Sequence, residues 1–150
     1  MTAPACSRIR IEVEPTRRTK GGYKISAFTN GDKAGFIGLE RDRRGGRYLT
    51  VEYAVVTADR RCGIGTKMYE RALQLACELG LPLASGHSRT PASEGFWRKQ
   101  ERKGRARCVS QKPASRLAPA EEGMGPRGEW PCGQYAMREA CPRKIDLTDA

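Results

Sequence analysis

The chain has 150 residues, 30% of them charged, with a net charge of +11 and a pI near 9.8. That length suits a single domain with its own core. The excess positive charge is spread along the chain, +6 over residues 1–80 and +5 over residues 81–150, which excludes a neutral domain with a basic tail and suits a polyanionic ligand, an acidic partner, nucleic acid or plain solubility.

The N-terminus MTAPACSRIR has no apolar signal-peptide region, and no stretch approaches the roughly 18 apolar residues of a membrane span. Six cysteines (Cys6, Cys62, Cys77, Cys108, Cys132, Cys141) form no CxxC pair, and there is one histidine. No metal site is expected from that set. The spacing reads as reduced, partly buried thiols, and so as a cytoplasmic protein without a membrane partner.

Taken in chain order, "RIRIEVE" at 8–14 alternates with period two, as a half-buried strand does. After a loop, "YKISAFT" and "KAGFIGLERD" flank Asn30-Gly31-Asp32, a strong hairpin signal. "RRGG" at 43–46 turns the chain into "RYLTVEYAVVT", the longest strand. Met68, Ala72, Leu75, Ala76 and Leu79 then recur on one face of an amphipathic helix that Gly80 is placed to end. "LPLASGHS" reads as a strand parallel to the long one, because a helix joins them. A second helix begins near Pro91, "RARCVS" is a strand, 110–131 is a long irregular loop, "CGQYAMRE" is the last strand and 142–150 is a tail. The result is an α/β fold: a mixed, mainly antiparallel sheet with one βαβ crossover and two helices.

The crossover carries the chemistry. "RRCGIG" at 60–65 sets two glycines at the start of the first helix, behind two arginines. Glycine permits positive φ and close approach of a ligand to the backbone. The free amides and dipole of a helix N-terminus favour an anion, so phosphate or pyrophosphate is the natural guest; the alternative is a plain tight turn. A dinucleotide GxGxxG fails because Met68 takes the third glycine's place, and a Walker loop fails because Thr66-Lys67 are in the wrong order.

The stretch does fit [Q/R]xxGx[G/A], and here the chain resembles the GNAT family of N-acetyltransferases. The family follows its long fourth strand with this motif, a helix, a parallel fifth strand, a second helix and two closing strands, as this chain does over about 8–139. "GFWRKQERKGRA" resembles a distorted form of the aromatic segment on the family's second helix. The resemblance implies acetyl-CoA as co-substrate and a primary amine as acceptor. It implies a pyrophosphate cradle from Arg60, Arg61, Cys62, Gly63, Ile64, Gly65 and Thr66, and a pantetheine contact at Val55.

Two departures stand out. The usual helices between strands one and two are missing, which leaves the acceptor side open or covered by a second copy in a homodimer. Trp97 stands where many members carry a tyrosine proposed as general acid, and indole cannot serve that role.

For a base, Glu52 on the fourth strand and His87 at the end of the fifth are the candidates. Each has a plainer reading, a solvated strand face for Glu52 and a loop-edge residue for His87. Six basic residues from Arg98 to Arg107 could face the CoA 3′-phosphate or an acidic acceptor, or simply water. A competing reading is a GNAT-like binding module that uses this basic surface on nucleic acid or a protein partner.

Overall fold

The computed structural model describes residues 8–16, 21–42, 45–56, 62–117 and 128–142. Arg60 and Arg61, and most of the tail, lie outside the described residues. Strands β1 (Arg10–Pro15), β2 (Gly22–Thr29), β3 (Asp32–Arg41) and β4 (Leu49–Val56) form an antiparallel meander. Helix α1 (Ile64–Leu79) leads to β5 (Leu83–Ala84), which pairs parallel with β4. Then come β6 (Ser88–Arg89), α2 (Pro91–Arg102), β7 (Ala106–Ser110), β8 (Ala114–Arg116), β9 (Glu129–Trp130) and β10 (Gln134–Met137). The main sheet runs β1-β2-β3-β4-β5-β10-β7, and β6-β8-β9 form a second, small sheet.

Local chemistry accounts for most boundaries. Asn30 and Gly31 take φ of 55° and 79°, as a two-residue hairpin matched to strand twist requires. The amide of Leu81 donates to the Ala76 carbonyl, 3.0 Å away, across Gly80, which closes α1. Thr90 caps α2 by accepting from the Ser93 amide, with Pro91 in the first turn. The apolar face of α1 buries Ile64, Met68, Tyr69, Ala72, Leu75 and Ala76 against β1–β5. Ile25, Ile37, Leu39, Leu49 and Leu83 lie beneath, each no more than 1% exposed, and each such side chain contributes about 1.5–3 kcal/mol.

Two expectations need correction. The stretch 110–131 is not wholly irregular: β8 and β9 lie within it, β8 paired to β6 at Ser88↔Ser115 and to β9 at Ala114↔Trp130. Strands of two or three residues that pair with distant partners leave no periodic trace. The cysteines are also not free thiols. Packing brings Cys77 on α1 to Cys141 with Cα atoms 4.6 Å apart, and Cys108 on β7 to Cys132 at 5.9 Å, and both pairs are disulfides. Cys62 is disulfide-bonded as well. The spacing of cysteines carries no pairing information until the fold sets their distances, and the cytoplasmic reading loses its ground.

Peptide mapping without reduction is expected to recover the 77–141 and 108–132 links. In the chain-entropy view, reducing each bridge removes about 3–5 kcal/mol of stability. Titratable free thiol at these four positions in the native protein would refute the pairing.

Candidate active site

The site starts from a failure of two strands to stay together. β4 and β5 pair only at Leu49↔Leu83 and Thr50↔Ala84, after which β4 runs on to Val56. The cause is local. Gly38 faces Tyr53 and Leu39 faces Val51, so Glu52 is an extra residue in β4. Such a bulge bends its strand and increases its twist. Gly86, just past β5, lies so near β4 that a Cβ on it would sit 2.6 Å from the Val51 carbonyl oxygen. Gln134 closes the apex from beneath: its buried amide donates to the Ser85 carbonyl at 3.0 Å and to the Thr50 hydroxyl at 3.4 Å. The two strands therefore open into a V whose rims are Glu52–Val56 and Gly86–Ser88.

The start of α1 belongs to the same region. Gly35 on β3 would, with a Cβ, lie 2.8 Å from the Val55 carbonyl oxygen and 3.2 Å from the Ile64 side chain, so Val55 and the first turn of α1 are neighbours. Gly63 is the N-cap, at φ 72° and ψ 24°, with open space where a side chain would be. Among the described residues no side chain caps this helix, and its first turn has no acidic residue. The first amides of a helix have no acceptor within it, and here they carry the positive end of a 16-residue dipole. Ile64 is buried, while Cys62, Gly63, Gly65 and Thr66 are partly exposed.

The opposite rim rests on a buried ion pair absent from the sequence reading. Arg89 and Glu94 are each 1% exposed, with Nε to Oε1 at 2.8 Å. The Arg89 guanidinium also donates to the Ser85 hydroxyl at 3.3 Å, to the Gly86 and Gly133 carbonyls at 2.9 and 3.2 Å, and to the Cys132 carbonyl. Glu94 further accepts from Arg98 at 2.7 Å and from the Tyr135 hydroxyl at 2.9 Å. Burial, then the Glu94 carboxylate, push the Tyr135 phenol above its ordinary pKa, which keeps it protonated as the donor. One arginine thus links β5, the turn carrying His87, α2 and the start of β10. No period or spacing marks Arg89 as buried, and only its five-residue distance from Glu94 hints at the pair.

The expected residues are brought together in part. Glu52 is exposed at the bulge, and His87 is exposed beside Gly86 on the facing rim. Val55 is half-buried where β4 meets α1. Trp97 is 0% exposed and stacked on Tyr135, with ring centroids 6.3 Å apart. It and Phe96 are core residues, so the indole lines no cleft. Of the basic run on α2, Arg98 is engaged by Glu94 and lies over the Trp130 ring at 5.5 Å, with Arg116 over the same ring at 4.8 Å. Among the described residues, no group of three His, Cys, Asp or Glu residues is placed to hold a metal, and no helix is long and apolar enough to cross a membrane.

An acyl-CoA N-acyltransferase from Pseudomonas aeruginosa aligns at 16% identity over 77% of this chain and 68% of its own, with a TM-score of 0.49. An IAA acetyltransferase from Bacillus cereus ATCC 14579 aligns at 18% identity over 87% of this chain and 99% of its own, with a TM-score of 0.54, and shares the fold. No curated protein sequence matches the chain. The sequence model of the acetyltransferase (GNAT) family matches residues 4–100, well over half the chain and all of the V-shaped opening and the glycine turn. With the parted strands and the uncapped helix start already in hand, that match settles the family: the chain belongs to the GNAT acetyltransferases.

Proposed function

We propose that the protein transfers an acetyl group from acetyl-CoA to a primary amine. The observation that carries this reading is the parting of β4 and β5 after two residue pairs, directly beside an α1 N-terminus that no side chain caps. A slot between strands accepts an extended pantetheine arm along the freed edge of β4. Val55 is the residue whose backbone would pair with that arm and polarise the thioester carbonyl. The amides of Cys62, Gly63, Ile64, Gly65 and Thr66 would hold the pyrophosphate, with Arg60 and Arg61 adding charge from the preceding loop.

The chemistry is an addition and an elimination. The amine loses a proton to a base, its nitrogen attacks the thioester carbon, and the carbon–sulfur bond then breaks. The CoA thiolate takes up a proton, so an amide and a thiol leave. We assign the base to Glu52, because the bulge sets it where the strands part, with an exposed side chain on the acceptor side. Buried Trp97 donates no proton to the thiolate, so solvent supplies it.

The direct test is calorimetric titration of acetyl-CoA, followed by turnover with an amine panel. Glu52→Gln is expected to lower kcat/KM by about a hundredfold, within the range for a general base, while acetyl-CoA affinity is kept. His87→Gln is expected to lower it by less than tenfold. The reverse order would move the base to His87, and no acetyl-CoA binding by the native chain would sink the reading.

A further inference from the structure

Among the described residues, α1 is the helix packed on the meander, and the face turned away from it carries no comparable helix. Gly35 faces Ile64 and Met68 of α1, so strand alternation turns Phe36 to the other side. Cross-strand pairing sets Glu12, Ser26, Phe36 and Val55 in one row, and Glu14, Lys24, Gly38 and Tyr53 in the next. The link from β1 to β2 is too short to hold a covering helix. Tyr53, 46% exposed, lies flat over Gly38, where a Cβ would sit 2.3 Å from its ring, and meets Phe36 edge to face at 5.6 Å. The ammonium groups of Lys24 and Lys33 converge on the same ring, at 5.4 and 5.3 Å from its centroid. Phe36 in turn pairs with Val55 on the slot-lining strand.

We infer that this face is the acceptor subsite, and that it takes a small amine bearing its own carboxylate, which Lys24 and Lys33 hold over Phe36 while the amine reaches Val55. The inference rests on the acetyl-transfer reading. Two like charges gathered on one aromatic ring beside a reaction strand repel each other, and an anion between them relieves that repulsion. The neighbouring Lys24 side chain, and then burial, hold Lys33 below the ordinary lysine pKa; Glu14 acts the other way. Glu12 and Glu14 on the outer strand balance the face overall, and a polyanion such as nucleic acid would meet them unfavourably.

The test compares amines matched in length, 4-aminobutyrate with 4-aminobutanol and phenylalanine with phenethylamine. With saturating acetyl-CoA, the carboxylate member of each pair is expected to show about a tenfold higher kcat/KM. Lys24→Gln, Lys33→Gln should bring that ratio near one and leave acetyl-CoA affinity unchanged. A preference for the neutral members, or one that survives the double variant, overturns the inference. A second readout needs no catalysis: 4-aminobutyrate, but not 4-aminobutanol, should shift the NMR signals of Phe36 and Lys33 in the protein without co-substrate. If acetyl-CoA fails to bind, the transfer reading falls by itself, and absent shifts would remove this subsite as well. If acetyl-CoA binds and no carboxylate amine is preferred, the subsite alone is wrong.

Discussion

Gly63→Glu, Gly65→Glu is expected to weaken acetyl-CoA binding at least a hundredfold, about 2.8 kcal/mol at about 1.4 kcal/mol per factor of ten. Two effects combine. Gly63 sits at φ 72°, where a side chain strains the backbone by about 1–2 kcal/mol. That strain lowers stability, but it acts mainly on the helix start, because nothing lies within 4 Å of the added Cβ. The larger effect is electrostatic. Two carboxylates at the first turn of α1 satisfy the helix dipole from within and repel a pyrophosphate from the same amides. Gly63→Ala separates the terms: it keeps the strain and adds no charge, so it should cost stability but less than tenfold in affinity. Calorimetry with both variants decides. If the alanine and glutamate variants lose affinity equally, the glycine turn acts through shape alone. If neither loses affinity, the cradle lies elsewhere.

Arg89→Met is expected to be the most destabilising single change on the slot's far rim, at about 3–5 kcal/mol, as for removal of one partner of a buried pair. It leaves Glu94 buried with Arg98 and Tyr135 as partners, takes the guanidinium donor from the Cys132 and Gly133 carbonyls, and leaves Ser85 and Gly86 only the bonds that join Tyr135, Ser85 and Gly86. For a chain of 150 residues that corresponds to a fall in Tm of roughly 6–20 °C. Arg89→Met, Glu94→Gln removes the orphaned carboxylate and should recover part of the loss, so a double-mutant cycle reads their coupling. The functional consequence follows from geometry. Ser85 and Gly86 form the closed end of the V, so acetyl-CoA affinity should fall in Arg89→Met even where the variant stays folded. A loss of stability under 1 kcal/mol would show the hub to be dispensable.

The part of the fold written into the chain is the part held by local rules. Asn30-Gly31 makes one hairpin whatever surrounds it, because both positions accept positive φ. Period two over 8–14 and the apolar stripe from Met68 to Leu79 each select one backbone geometry. Gly63 and Gly65, placed between a long strand and that helix, are visible in the sequence as a glycine turn at a helix start, and they carry the family resemblance with them. The small sheet of β6, β8 and β9 was not legible, since its strands are too short to show a period.

The site shows the same division. By itself the sequence determined the order of elements, the position of the glycine turn at the start of α1, and Glu52 and His87 as groups near the strand ends, because each depends on neighbours a few residues away. Only the tertiary structure decided that Glu52 is the bulge that parts β4 from β5, that Trp97 is core, that Arg89 is a buried hub, that the cysteines are paired, and that Lys24 and Lys33 share one aromatic ring. Those facts join positions up to 64 residues apart. Distance in space between such positions is set by how the whole sheet closes on its two helices, and no local pattern of residue types encodes it.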